Sequence, residues 1–168
     1  IFPVLTPLGV DPGHPFPHIS NLSANLAVLM RENDSEKFAR VKVPDSLPQL
    51  LRVDTESYIW LHEVIRANLR ELFPGMKFVE AAPFRVTRDA DLEIQEWEAM
   101  DMLETTQQSV RQRRFADVVR LEVGRDMSQH LLRNLMSNLE VVETDVYHMD
   151  GWVPLSELKQ IAALDRPE

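Results

Sequence analysis

The chain has 168 residues, 44% hydrophobic and 27% charged, the makeup of one globular domain of ordinary size. It contains no cysteine, which excludes thiol catalysis, cysteine-ligated zinc and a disulfide scaffold. Lys and Arg number 18 against 27 Asp and Glu, and the resulting formal charge of −9 sets up a mean field that repels nucleic acid and anionic membranes.

No apolar run approaches the roughly 20 residues of a membrane span, so no transmembrane segment is expected. Ile1-Phe2-Pro3 lacks the basic stretch of a secretion signal. An opening without methionine and a linker-like tail, Asp165-Arg166-Pro167-Glu168, read as the ends of a piece cut from a larger protein.

In chain order, Pro3, Pro7, Pro12, Pro15 and Pro17 fix φ and remove N–H donors, so residues 1–20 read as an extended, irregular lead-in. Leu22 to Arg31 reads as a strand in which Leu26, Val28 and Met30 alternate with Ala27, Leu29 and Arg31, leaving both faces at least half buried. Glu32-Asn33-Asp34-Ser35 is turn material. Phe38 to Val43 alternates again, and the spacing predicts an antiparallel hairpin. Past Pro44 and Pro48, the stripe Leu61, Ile65, Leu69 and Leu72 predicts a long helix from about Tyr58 to Phe73. Asp54 and Ser57 are its expected caps and Pro74-Gly75 its stop.

Met76 to Ala82 and Phe84 to Arg88 read as strand, interrupted at Pro83. Trp97 to Arg114 reads as a second long helix, with acids leading and Arg111, Arg113 and Arg114 trailing as the helix dipole favours. Val118 to Val123 reads as a strand, and Ser128 caps a helix through Leu139 that carries Leu131, Leu132, Leu135 and Met136. Val141 to Tyr147 reads as a further strand, ended by Asp150-Gly151, and Pro154 to Leu164 as a short closing helix. The irregular alternation predicts an α+β fold, one domain over residues 1–168, with a mixed, largely antiparallel sheet flanked by helices.

His14 and His18 stand four apart, a spacing that chelates metal on a helix, but the prolines between them forbid the helix and leave a proline-braced loop anchored by Phe16. His62, beside Glu63, is expected on a solvated helix face, and His130 and His148 have no evident partner nearby in sequence. The glycines form neither a phosphate-binding loop nor a dinucleotide fingerprint, and no Gly-x-Ser-x-Gly elbow occurs. Glu93, Glu96 and Glu98 read as solvated helix surface. Arg85 and Arg88 flank a strand end with Asp89 and Asp91 close behind. They read either as surface ion pairs or as a guanidinium pair facing an anionic substrate, whose oxygens the planar fork matches. The cations of Arg111-Gln112-Arg113-Arg114 need no ligand to explain them. The residues alone describe an acidic α+β domain with no self-contained catalytic or metal site.

Several blocks read together resemble the type-1 polyphosphate kinases, specifically their head, or middle, domain. They are Phe2 to Leu8 with Val10-Asp11-Pro12, His14 to Pro17 with Ser20 to Ser23 and Asn25-Leu26, and Phe38 to Pro44. Glu63 to Leu69 with Leu72 to Gly75, Pro83 to Leu92, Val119 to Val123, and Asp145-Val146-Tyr147 before Gly151 continue the match in order over nearly the whole chain. Gly9 and Ala24 depart from the alanine and leucine more usual there.

The resemblance implies a non-catalytic domain of an enzyme that reversibly transfers the terminal phosphate of ATP to polyphosphate, with magnesium and through a phosphohistidine. That histidine and the adenine contact lie in other domains, so the fragment is expected to be inactive and to hold no cofactor itself. The family's middle domain is associated with dimer formation and with framing the active-site tunnel. The implied partners are the rest of the parent chain, a second copy of the parent, ATP and polyphosphate, in the cytoplasm and without nucleic acid. On this reading Arg85 and Arg88 are the candidates for the substrate path. The alternative is a free-standing adaptor that docks a partner through an exposed helix, with Tyr58, Trp60 and neighbouring residues of the long helix as its surface.

Overall fold

The computed structural model describes residues 1–10, 16–33, 35–89, 116–153 and 158–163. Among them, strands β1 (Pro7–Val10), β2 (Asn25–Glu32), β3 (Ser35–Lys42), β6 (Lys77–Arg88), β7 (Val118–Gly124) and β8 (Val146–Met149) form a 6-stranded sheet in the order β1-β3-β2-β6-β7-β8. All neighbours are antiparallel except β7 and β8, which run parallel. A parallel pair needs a crossover, and helix α2 (Gln129–Leu139) supplies it. A second, 2-stranded sheet pairs β4 (Leu50–Arg52) with β5 (Tyr58–Trp60), from which helix α1 (Leu61–Ala67) leads directly. Helix α3 (Leu158–Ala162) is the last described element. The fold is α+β with a mixed sheet, as the alternation of patterns predicts.

The sheet is covered on both faces, and β2 shows it most clearly: Asn25 through Met30 are all buried. On one face Ala27, Leu29, Phe84, Val86, Leu121 and Val123 pack against Leu131, Leu132 and Leu135 of α2. On the other, Leu26, Val28, Met30 and Val41 pack against Leu61, Ile65 and Leu69. Each fully buried leucine in these clusters contributes roughly 1.5–3 kcal/mol. Helix α2 begins as predicted, with the Ser128 hydroxyl accepting the Leu131 N–H at 3.2 Å. Glu80 secures that end from the sheet by accepting the Ser128 N–H at 2.7 Å.

Several expectations are corrected. The lead-in is not irregular throughout, because Pro7–Val10 pairs with β3 at the sheet edge, where a proline at a strand's start costs no ladder bond. The helix expected from Tyr58 to Phe73 is a strand, a helix of 7 residues and a short 3-10 turn at Leu69–Leu72. Tyr58, Ile59 and Trp60 are good strand formers and pair with β4, while the apolar stripe persists across α1 and the turn. Asp54 caps no helix. Its Oδ1 accepts the N–H groups of Glu56 at 2.9 Å and Ser57 at 2.8 Å, closing the β4–β5 turn. Those bonds, the Glu56 N–H first, hold its carboxyl below the usual range.

Nor does Pro83 interrupt β6. It faces Leu26 of β2, and pairing with β7 begins one residue later at Phe84 and Val123, so no ladder bond on that side calls for its missing N–H. Of the strand expected at Val141 to Tyr147 only Val146 and Tyr147 are strand; Glu143–Asp145 form a 3-10 turn, and β8 starts at Val146. The helix expected from Trp97 to Arg114, its terminal Arg111, Arg113 and Arg114, the Glu93, Glu96 and Glu98 face, and His14 lie outside the described residues.

Gly124 ends β7 against the rigid ring that lets β6 run on. A Cβ there would sit 3.1 Å from Pro83 Cδ and 3.2 Å from Cγ. Gly124→Ala is therefore expected to destabilise the fold by about 1–3 kcal/mol through overpacking. Urea unfolding checks this as a lower midpoint at an unchanged slope.

Candidate functional site

The sheet face that α1 covers over β2 and β3 turns polar toward β8. Antiparallel register sets Arg85 of β6 directly opposite Glu122 of β7, and parallel register sets Glu122 beside Tyr147 of β8. Arg120 stands two residues back on β7, on the same face. Glu122 is 8% exposed and takes both guanidiniums. Arg85 Nε donates to its Oε2 at 2.7 Å, with Arg85 Nη2 on the same oxygen, and Arg120 Nε donates to Oε1 at 2.9 Å. Each arginine also lies over an aromatic ring, Arg85 at 5.6 Å from the Trp152 centroid and Arg120 at 3.6 Å from that of Tyr147.

Trp152 closes the inner end of this row. Its ring meets His62 edge to face at 5.0 Å, and Trp60 stacks beyond His62 at 6.5 Å. His62 is therefore not on a solvated face: it is 3% exposed, which corrects the expectation. Burial lowers its pKa, Arg66 adds to that, and Glu63, 3.4 Å from Nε2, opposes it. The adaptor reading fares similarly, since Tyr58 and Trp60 are half-buried residues of β5 rather than an exposed helix face.

Arg88 is not beside Arg85. It lies on the α2 side of the sheet, where Nε donates to the Ile19 carbonyl at 2.9 Å and Nη1 to that of Ala116 at 2.5 Å. It borders a cavity of about 490 Å³, together with Phe16, His18, Asp117, Asn138 and Glu140. Burial draws its pKa down, and Asp117 opposes the shift. The fold thus brings His18 to Arg88 but keeps Arg85 on the opposite face.

His130 does find a partner: its Nε2–H donates to Glu36 Oε2 at 2.8 Å across the surface. That bond, with a second from Arg31, holds the Glu36 carboxyl below its usual range. His148 is exposed on β8. Among the described residues no group of His, Asp and Glu is arranged to hold a metal ion.

The sequence reading missed Arg120, Glu122, Tyr147 and Trp152. One signal was available: in Val119 to Val123, Arg120 and Glu122 occupy every second position of an otherwise apolar strand, so they share a face and need partners there.

The profile described as the polyphosphate kinase middle domain matches residues 1–161. The chain belongs to that family. It is 48% identical over 180 residues to the polyphosphate kinase of Prosthecochloris aestuarii, covering 100% of this chain and 25% of that protein. It is 46% identical over 179 residues to polyphosphate kinase 1 of Chlorobaculum tepidum, covering 99% and 26%. The polyphosphate kinase of Streptomyces coelicolor is 45% identical over 170 residues, covering 100% and 23%. The chain thus spans about a quarter of the length of these relatives. The crystal structure of polyphosphate kinase from Porphyromonas gingivalis shares the fold, with a TM-score of 0.71 at 24% identity over 99% of this chain and 24% of that one.

Within this middle domain, Glu122 is the group on which the polar row depends. Glu122→Ala leaves Arg85, whose side chain is 12% exposed, without its counter-charge. The expected loss is about 3 kcal/mol, as for breaking a buried pair from one side. Arg120→Ala, at a side chain 36% exposed, is expected to cost under about 1 kcal/mol. Chemical denaturation of both variants distinguishes the two roles.

Proposed function

We propose that the chain serves as the non-catalytic head domain of an ATP–polyphosphate phosphotransferase. The family match over residues 1–161 carries this reading. In it, the parent moves the terminal phosphate of ATP onto polyphosphate and back, through a phosphohistidine outside this chain. Magnesium and ATP are held elsewhere in the parent, and the middle domain contributes to subunit pairing and to the wall of the active-site tunnel. The parent works in the cytoplasm. No helix among the described residues is long and apolar enough to cross a membrane.

The local chemistry suits a scaffold. Phosphoryl transfer needs a metal, cationic clamps and a positioned nucleophile. Glu122 engages Arg85 across β6 and β7 and Arg120 along β7, so both arginines are already paired within the sheet before they meet any ligand. Arg88 at the cavity margin and Arg85 on the opposite face are the proposed contacts to the substrate path. Because they stand on two faces, a single strand of polymer would meet one of them at a time.

The test is transfer of labelled phosphate from ATP to acid-insoluble polymer with magnesium. The intact parent is expected to be active and the 168-residue chain inactive. Polymer made by the chain alone would overturn the reading. In the intact protein, Arg88→Ala is expected to raise the KM for polyphosphate roughly tenfold, the loss of one charge-assisted contact, with kcat held. Unchanged kinetics at matched salt and thermal stability would return Arg88 to a purely structural role.

A further inference from the structure

Among the described residues, Trp152 is the one buried hydrophobic side chain that belongs to neither core cluster. Only 6% exposed, it lies in the irregular stretch after β8. Its ring contacts are with ionisable side chains: the His62 imidazole at 5.0 Å and the Arg85 guanidinium at 5.6 Å. Further along the chain, Gln160 Oε1 of α3 accepts the Leu50 N–H of β4 at 3.3 Å. Both attachment points sit on the unit formed by the β4–β5 hairpin and α1. Aliphatic packing is indifferent to pH, but a ring seated on an imidazole is not.

We propose that His62 and Trp152 form a pH-responsive latch, in which protonation of His62 releases the Trp152 ring from its seat on α1.

The charges around His62 set the direction. Arg66 on the same helix, itself paired with Asp126 at 3.0 Å, opposes a second positive charge. Arg85 of β6, on the other side of Trp152, has its own charge matched by Glu122. Glu63 favours protonation, but its carboxylate is half exposed and 3.4 Å away. Burial outweighs it, so the docked state holds His62 below its ordinary value of 6.5. A histidine with a lowered pKa binds its proton more readily once undocked. Docking is therefore at full strength above pH 6.5 and weakens as pH falls below it, by up to about tenfold per pH unit for one proton.

The test is 19F NMR of the chain labelled with 5-fluorotryptophan, titrated from about pH 8 to about pH 5 across the histidine range. Loss of a signal in Trp152→Phe assigns the resonance. The Trp152 signal is expected to move toward the position of a solvated indole with a midpoint below 6.5, and to stay at the docked position throughout in His62→Phe. Glu63→Gln, which removes the one charge favouring protonation, is expected to shift the midpoint to lower pH and serves if His62→Phe does not fold. A Trp152 signal that does not move in the wild type, one that moves equally in His62→Phe, or a midpoint unchanged in Glu63→Gln would each overturn the latch.

Discussion

Burial of the main sheet on both faces is the constraint from which the rest of the structure follows. A strand covered on one side alternates apolar and polar residues, whereas β2 is closed off along Asn25 to Met30 whichever way a side chain points. Polar residues inside such a sheet need partners within the protein. Asn25 shows the rule on the α2 side. Its Oδ1 accepts Arg40 Nε at 2.7 Å, and its Nδ2 donates to the Ser23 carbonyl at 2.7 Å. Desolvation lowers the Arg40 pKa, so even a guanidinium registers how dry this layer is.

The same rule accounts for the polar row at the other end. Leu61, Ile65 and Leu69 of α1 and its following turn cover β2 and β3, and past β6 that aliphatic cover gives way to the indole of Trp152. Arg85 pairs with Glu122 across β6 and β7, Arg120 pairs with it along β7, and the rings of Trp152 and Tyr147 lie against the two guanidiniums. Such an arrangement adds little net stability over a hydrophobic one of equal volume. It does set register, because sliding β7 by one residue would turn Glu122 to the opposite face and leave Arg85 of β6 unmatched.

What was legible in the sequence was what local pattern encodes. The β2–β3 hairpin, the Ser128 cap and the α2 stripe all rest on neighbours a few residues apart. The errors fall where distant contacts decide. Residues 7–10 are a strand because β3 offers an edge, which Pro7 at their start conceals. Pro83 stays within β6 because of where β7 begins. His62 is buried although it lies beside the stripe rather than on it, because Trp152 arrives from the far end of the chain to cover it. The separation of Arg85 and Arg88, by contrast, follows from the strand itself: three residues apart, an odd spacing, they fall on opposite faces.

The overall charge of −9 and the local chemistry of the arginines act over different distances. At physiological salt a charge is screened over about 8 Å, so a polyanion feels the mean field only as a modest barrier and meets specific side chains at contact. Along β6 and β7 two guanidiniums share one carboxylate, which leaves a local excess of one positive charge, carried at the surface by Arg120. Its plane is held against Tyr147, as that of Arg88 is held by two backbone carbonyls. A guanidinium fixed in this way loses little further freedom on meeting a phosphate oxygen, which favours directed contact over diffuse attraction. An acidic domain can therefore present a few oriented guanidiniums to an anion at contact while its long-range field opposes accumulation of polyanions around it.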